Sequence, residues 1–412
     1  MTHPLRPGLA WARGLNVQLV VAVVTVLDVA GAACSGATSG AVPSTGSSSS
    51  SGGATTTTAS SSTSSLSSNS ASTTASSVST TGSSASSTGT GACANDCGAG
   101  VCCDAGTCVS GRCLTTLASG QTPMQIAVDS TSVYWTNASV AGPMTGSIMK
   151  CLSGGCGGQA TTLAATQTPF QLALDGGIVY WTDTPGQGSG RVLACGVSGC
   201  NNNPAVLASS LNAPTGIAVS GSALYWGDDA GVGVSKILTC VKSGCAGPPT
   251  PFVSGQSSPW GLVADSLDVY WTNGGATSGS VMQCAASGCS TPTPLAGGPA
   301  ENQPKAIAVD GSSVYWDDYG GGAVKRAPIG GGSAPTTLWM SASLAHPAGI
   351  AVDATSVYWT DEYGGAVMKC PKSGCQGNPE LLATAASPEG VAADGSSLYW
   401  AENGKVMKLT PK

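Results

Sequence analysis

The chain has 412 residues, which is longer than one ordinary domain, and only 9% of them are charged. Its formal net charge is -6 and it contains no cluster of lysine and arginine, which excludes the electrostatic footprint of a nucleic-acid-binding protein. Its 17 cysteines, in regular spacings, indicate an oxidising compartment.

The N-terminus has the pattern of an export signal. Arg6 and Arg13 precede the apolar run LNVQLVVAVVTVLDVAGAAC, which Gln18 and Asp28 interrupt and small residues end. A membrane-spanning helix needs a longer uninterrupted apolar run, so this pattern predicts a signal peptide over residues 1–33.

Cys34 follows AGAA and precedes a Ser/Thr tract, which resembles a bacterial lipoprotein signal, in which the cysteine is lipidated. The number of cysteines favours the same interpretation. Six lie between positions 93 and 113 and ten lie beyond, so that Cys34 is the one left over. We therefore expect lipidation of Cys34 and an outer-membrane or cell-surface lipoprotein. Ordinary cleavage near this cysteine, which would give a secreted protein, is the alternative.

Two segments separate the signal from the repeats. Residues 34–92 are almost wholly Ser, Thr, Gly and Ala, which cannot bury enough apolar surface to fold, so a disordered tether is predicted. Residues 93–113 read CANDCGAGVCCDAGTCVSGRC and are too short for a hydrophobic core, which predicts a small disulfide-rich module. Six cysteines permit 15 pairings, and the spacing does not choose among them. A metal site is the alternative, but the segment has no histidine.

Residues 114–412 form a repeat array. Tyr-Trp occurs seven times at steps of 41 to 46 residues, and a proline precedes each tyrosine by eleven positions. An aspartate lies midway in every repeat except one, which has Ser220, and we call this pattern Pro-x5-Asp-x4-Tyr-Trp the repeat frame. Each unit reads as four strands, which in the sixth repeat are GIAVD, SVYWT, GAVMKC and LLATA. Short strands at this period predict propeller blades.

The order of the strands predicts how the ring closes. The first fourth-strand segment, TTLAS, precedes the first Tyr-Trp, and the chain ends after a third strand, GKVMKLTPK. Pairing residues 114–119 with 404–410 would complete the last blade and remove two open edges. We predict an all-β propeller of seven four-stranded blades closed by its N- and C-terminal strands. A six-bladed TolB-like ring is the alternative.

Ten cysteines recur as Cys-x4-Cys across the turn between third and fourth strands. Residues opposed across such a turn lie close enough for a disulfide. The fifth repeat loses both cysteines together, at Ala327 and Gly332, as a local pair would require. The predicted disulfides are Cys151–Cys156, Cys195–Cys200, Cys240–Cys245, Cys284–Cys289 and Cys370–Cys375.

The sequence Tyr-Trp-Thr-Asp at 180–183 and 358–361 resembles the repeat of YWTD β-propellers, which are related to the NHL and TolB-like propellers. The resemblance covers residues 114–412. It implies a propeller but no single function, because members include receptor ectodomains, scaffolds and hydrolases. These propellers typically have six blades, whereas seven repeats are present here.

Residues that depart from the repeat are the candidates for a ligand face. Propeller ligands usually meet the face where the fourth-to-first and second-to-third strand loops converge. The candidates there are Trp260, Lys305, His346, Glu389, Asn302 and Asp228. Carboxylates and amides that recur after Tyr-Trp, Asp317 and Glu362 among them, are predicted to hydrogen-bond loop amides instead.

The residue content restricts the chemistry. His346 is the only histidine after His3, which excludes histidine-pair catalysis and multi-histidine metal sites, and no catalytic motif assigns a catalytic residue. We predict a non-catalytic binding or structural module, exported and tethered, monomeric and without a cofactor, for an unknown protein or carbohydrate ligand. Membrane contact would come only through the lipid. The alternative is a Ca²⁺-dependent hydrolase or lyase of the gluconolactonase-like type, with Asn302, Glu389 and Asp228 as possible donors.

Overall fold

The computed structural model describes residues 96–98, 103, 106–138, 145–275, 278–341 and 345–412. The regular structure in these ranges is β-strand, and no helix there is long and apolar enough to cross a bilayer. The predicted signal peptide (1–33), the lipidation site Cys34 and the tether (34–92) lie outside the described residues.

The strands form seven sheets, and six of these are antiparallel four-stranded blades built from consecutive strands. Two strands precede them, β1 (Thr107–Val109) and β2 (Arg112–Ser119). Blades 1 and 2 comprise β3 (Pro123–Val128), β4 (Ser132–Asn137), β5 (Gly146–Leu152), β6 (Thr161–Thr166), β7 (Pro169–Asp175), β8 (Ile178–Asp183), β9 (Gly190–Gly196) and β10 (Ala205–Leu211). Blades 3 and 4 comprise β11 (Pro214–Ser220), β12 (Ala223–Asp228), β13 (Ser235–Val241), β14 (Thr250–Gln256), β15 (Pro259–Ala264), β16 (Asp268–Asn273), β17 (Gly279–Ala285) and β18 (Thr293–Gly298).

Blades 5 and 6 comprise β19 (Pro304–Val309), β20 (Ser313–Asp318), β21 (Ala323–Pro328), β22 (Thr336–Met340), β23 (Pro347–Val352), β24 (Ser356–Asp361), β25 (Ala366–Pro371) and β26 (Glu380–Thr384). The last three strands of the chain are β27 (Val391–Ala393), β28 (Leu398–Glu402) and β29 (Lys405–Thr410). They form the seventh sheet together with the two N-terminal strands, in the order β1-β2-β29-β28-β27.

The seventh sheet confirms the predicted closure. β2 pairs antiparallel with β29, with Thr116 opposite Met407 and Ala118 opposite Val406. The fourth strand of blade 7 therefore comes from the other end of the repeat array. Seven blades are present, and the six-bladed alternative is wrong.

The Tyr-Trp pairs fill the interfaces between blades. Successive side chains of a strand point to opposite faces. Tyr134 therefore packs with Trp181 of blade 2, whereas Trp135 packs with Tyr399 of blade 7. The tryptophans of the seven pairs are each less than 2% exposed. This explains why both residues are apolar in a strand that would alternate if one face met solvent.

The aspartate of the repeat frame ties the first turn of a blade to its tyrosine. Asp129 accepts hydrogen bonds from the Ser132 amide and the Tyr134 hydroxyl, both at 2.8 Å. The same tyrosine contact is made by Asp265, Asp310, Asp353 and Asp394. This aspartate therefore has a structural role in these repeats.

Each of the five Cys-x4-Cys pairs is joined as a disulfide in the structure. Two further bonds, Cys97–Cys108 and Cys103–Cys113, lie in the cysteine-rich segment. Because β1 pairs with β2, this segment adjoins the closing blade. Blade 5, which has no cysteine pair, contains a buried ion network in which Lys325 Nζ lies 2.7 Å from Asp318 and 3.2 Å from Glu301.

The first strands of the blades lie innermost and pack against one another. Gly261 of β15 permits one close approach, because a Cβ atom there would lie 2.2 Å from the Lys305 carbonyl oxygen of β19. The second residues of these strands are thereby brought together around the channel. This close approach places Trp260 and Lys305, which depart from the repeat, side by side.

Candidate ligand site at the channel mouth

Seven side chains from blades 4 to 7 form a cluster at the end of the channel where the fourth-to-first and second-to-third strand loops meet. Trp260 and Lys305 are the second residues of β15 and β19, and Glu389 precedes β27 by two residues. The others stand directly before β23 or after β20 and β24. We call the set the mouth cluster: Trp260, Lys305, Tyr319, His346, Glu362, Tyr363 and Glu389.

Lys305 is the centre of the mouth cluster. Its side chain is 8% exposed, with Nζ 3.2 Å from the centroid of the Tyr319 ring and 5.5 Å from that of Trp260. An ammonium group above an aromatic face is attracted by the negative charge of that face, more strongly when it is desolvated. The two rings therefore hold the buried amine in place between blades 4 and 5.

A chain of aromatic contacts leads from this amine to the surface. The Tyr319 ring lies 4.7 Å from the His346 ring, edge to face, and His346 lies 4.3 Å from Tyr363. Tyr363 is 60% exposed. On the other side, Trp260 packs edge to face on Phe170 at 5.7 Å. The cluster thus has a buried floor and a partly exposed ring on each flank.

The carboxylates of the cluster act on the ionisation of its members. Burial lowers the pKa of Lys305 to about 8, although the nearby Asp317, Glu362 and Glu389 oppose that change. Burial and the charge of Glu362 raise the pKa of Glu389 to about 8. Burial also lowers the pKa of His346. At pH 7, Glu389 and His346 are therefore mainly neutral, and Lys305 keeps most of its charge.

Asp317 lies beneath the cluster and is fully buried. Its Oδ1 accepts hydrogen bonds from the amides of Lys305 (2.9 Å) and Ala306 (2.8 Å), while Oδ2 has no partner. Burial raises the pKa of this carboxyl well above its usual value. Asp317 thus binds amides of strand β19, not the loop amides predicted for it, and one of its oxygens is desolvated.

Three atoms of the mouth cluster are buried without a hydrogen-bond partner, namely Trp260 Nε1, His346 Nδ1 and Glu389 Oε2. Buried polar atoms in folded proteins are nearly always paired, and leaving one unpaired costs about 1–3 kcal/mol. Several frame tryptophans also leave Nε1 unpaired, but those lie between blades. The three atoms here belong to residues at one end of the channel.

Two of the six candidate residues have local structural roles instead. Asp228 accepts hydrogen bonds from the Asn212 amide (2.8 Å) and side chain (3.0 Å), and it lines a pocket of about 590 Å³ formed mainly by blades 2 and 3. The Asn302 amide donates to Asp318 at 2.7 Å, and its side chain lies against Gly320. Both residues support loops and do not belong to the mouth cluster.

No group of three or more His, Cys, Asp or Glu side chains suited to a metal ion is found in the described part of the chain. The three residues named as possible Ca²⁺ donors have different roles in the structure. Asp228 and Asn302 bind their own loops, and Glu389 belongs to the mouth cluster.

Sequence reasoning overlooked part of the cluster. Tyr319 and Tyr363 are the two tyrosines outside the Tyr-Trp pairs, and that departure from the frame was the signal that could have found them. Glu362 was assigned to the loop-binding carboxylates, but its carboxylate accepts the Tyr319 hydroxyl at 3.1 Å. The loop-binding role in blade 6 belongs to Asp361, which accepts the His346 amide at 3.1 Å.

Solved structures similar to this chain are propellers of diverse function. Virginiamycin B lyase from Staphylococcus aureus shares 16% identity at a TM-score of 0.59, covering 73% of this chain and 99% of the lyase. A streptogramin B lyase shares 14% identity at 0.57, covering 73% and 98%. A chain of a nidogen/laminin complex shares 18% identity at 0.49, covering 64% and 97%.

The chain is a seven-bladed β-propeller. Likeness at these identities establishes the fold alone. A scan of protein-family models finds no match to the chain, and a comparison with curated proteins finds none either.

Proposed function

We propose that this protein is an exported ligand-binding propeller whose binding site is the mouth cluster. The supporting observation is where the aromatic residues outside the repeat frame lie. Both tyrosines outside Tyr-Trp, one of the two phenylalanines and Trp260 lie at one end of the channel, together with the only histidine after His3. Tyr319 and Phe170 are buried and also pack within the ring, whereas Tyr363 is 60% exposed, and the gathering of these rings supports a ligand contact.

Export is supported by the disulfides. Seven are present among the described residues, and such bonds persist outside the cytosol. The proposal includes attachment through lipid at Cys34, with residues 35–92 as the link to the propeller. The lyases among the similar structures leave binding and catalysis equally open, because one fold supports many functions.

The test is a binding screen of the full chain by ligand-observed NMR against a mixed panel of oligosaccharides, peptides and small-molecule fragments. Trp260→Ala and His346→Ala should each weaken a wild-type ligand at least tenfold. Leu267→Ala is the control, because Leu267 is 73% exposed in the first turn of blade 4, away from the mouth cluster. Thermal melts establish that each variant is folded.

Two results would contradict the proposal. Binding that is indifferent to both Trp260 and His346 would place the site elsewhere. Steady consumption of a bound panel member would contradict the non-catalytic part and favour an enzyme.

A further inference from the structure

The shape of the mouth cluster restricts the ligand. Two partly exposed rings, Trp260 and Tyr363, flank a floor made of Lys305, Tyr319 and His346. Aromatic rings offer large rigid apolar faces with low entropy cost on binding. The C–H face of a pyranose ring has the size and polarity to stack on such a face. A ligand that combines a flat apolar face with polar edges fits this arrangement.

The three unpaired atoms of the mouth cluster are best satisfied by hydroxyl groups. Trp260 Nε1 can only donate a hydrogen bond, whereas His346 Nδ1 and Glu389 Oε2 can each donate or accept according to protonation. A hydroxyl both donates and accepts, so a polyol satisfies all three atoms without a fixed order of donors. These atoms are buried here, so bonding to a ligand requires side-chain rearrangement, which is common on binding. Apolar ligands would leave them unpaired and would therefore bind more weakly.

The positive and negative charges around Lys305 balance one another. Lys305 faces the carboxylate of Glu362, while burial keeps Glu389 and Asp317 towards their protonated forms and His346 towards its neutral form at pH 7. A binding surface without net charge gives neither an anion nor a cation an electrostatic advantage. Charged ligands would also lose hydration on entering this buried floor.

Resting on the proposed function, we propose that the mouth cluster binds a neutral saccharide, with one sugar ring stacked on Tyr363 and its hydroxyls bonded to Glu389, His346 and Trp260. A free oligosaccharide and a glycan carried by another molecule both present this ring chemistry.

The test is an array of neutral, acidic and amino oligosaccharides, followed by calorimetric titration of the full chain with the neutral sugars that bind. Tyr363→Ala should weaken binding at least tenfold, and Tyr363→Phe should recover most of the loss because the ring is kept. Leu267→Ala removes a side chain of comparable exposure elsewhere and should leave affinity unchanged. Competition between the free sugar and a glycoprotein carrying it identifies which source binds more tightly.

A pH series tests the role of Glu389. If the protonated carboxyl donates to a sugar hydroxyl, affinity falls as Glu389 ionises above pH 7, while Lys305, whose pKa is also about 8, loses its charge over the same range. With the pKa of Glu389 at about 8, the loss between pH 7 and pH 9 should be about tenfold. Glu389→Gln keeps a donor at every pH and should reduce that loss to less than about threefold.

The outcomes separate this inference from the proposed function. If no neutral sugar binds but a peptide or fragment binds in a manner that depends on Tyr363, the saccharide is wrong and the binding site stands. A clear preference for acidic or amino sugars would overturn the neutral ligand. If no ligand of any class depends on Tyr363, Trp260 or His346, both proposals fail.

Discussion

Asp317 stands where several other repeats carry threonine. In blade 4, Thr272 accepts the Gly261 amide at 2.9 Å and donates to the Lys305 carbonyl at 2.7 Å, which joins two blades. Asp317 keeps the accepting half of this arrangement but leaves Oδ2 buried without a partner. A residue that departs from a repeat at a cost in stability is expected at a functional site.

The cost of Asp317 to stability can be measured by restoring the threonine that other repeats carry at this position. Asp317→Thr should raise the free energy of unfolding by about 1–3 kcal/mol at pH 7, because it removes a buried unpaired oxygen. Folding raises the pKa of Asp317, so its ionisation destabilises the fold only above the unfolded pKa of about 3.9. The gain should therefore shrink as the pH falls from 7 to 4.

Urea unfolding at the two pH values provides the measurement. Thr272→Asp is the matched reverse change in blade 4 and should destabilise at pH 7, because it breaks the bond to Lys305. An Asp317→Thr variant no more stable than the parent at pH 7 would show that the buried oxygen carries no cost. The same variant should also weaken ligand binding if Asp317 helps to position Lys305.

Among the strands, β2 is the one that closes the ring. It supplies the fourth strand of blade 7, and its Leu117 and Ala118 are buried between that blade and blade 1. Cys113 at its start is bonded to Cys103, and Arg112 forms an ion pair with Glu380 of β26. The closing strand is therefore tied to both neighbouring blades and to the cysteine-rich segment.

Deleting residues 114–119 should lower the melting temperature far more than deleting any six residues of the Ser/Thr-rich segment. Without β2 the edge of β29 is open and the apolar faces of blades 1 and 7 lose their cover, so aggregation should accompany the loss. Circular dichroism melts and size-exclusion chromatography measure the two effects.

A disulfide variant provides a reference for the loss of stability caused by this deletion. Replacing Cys370 and Cys375 by alanine opens a very short loop and should cost only about 2 kcal/mol. The closure would be unimportant for stability if the strand deletion melted like the parent, or like this disulfide variant.

Across the whole molecule, the repeat frame is regular, but the side chains of the mouth cluster are distributed unevenly around the ring. All seven interfaces use the same Tyr-Trp packing, which distributes stability evenly around the ring. The aromatic and ionisable side chains of the mouth cluster come from blades 4 to 7 only. Such an asymmetry orients a ligand towards one side of the channel.

The proposed attachment to a membrane through Cys34 concerns the whole chain. Cys34→Ser should release the protein from the membrane fraction and abolish metabolic labelling with fatty acid, because only this cysteine is left outside the two even groups. Cell fractionation with a labelled fatty acid measures both. A variant that fractionates like its parent would show that the lipoprotein interpretation is wrong.

Local pattern was sufficient to predict the blades. Proline, aspartate and Tyr-Trp recur at fixed spacing because each blade solves the same packing problem with its neighbours, so the period alone predicts strand positions and their number. The closure also followed from the sequence, since an unmatched fourth strand at one end and a missing one at the other have few alternatives to pairing. The Cys-x4-Cys pairs were predictable because both partners lie in one turn.

The mouth cluster required the tertiary structure. Trp260, Lys305, His346 and Glu389 could be singled out as departures from the repeat, but their contact depends on the packing of four consecutive blades around the channel. Tyr319 and Glu362 meet across two blades, and no spacing along the chain encodes that approach. Burial, which sets the ionisation of Lys305 and Glu389, is likewise a property of the assembled ring, because desolvation depends on every surface that surrounds the group.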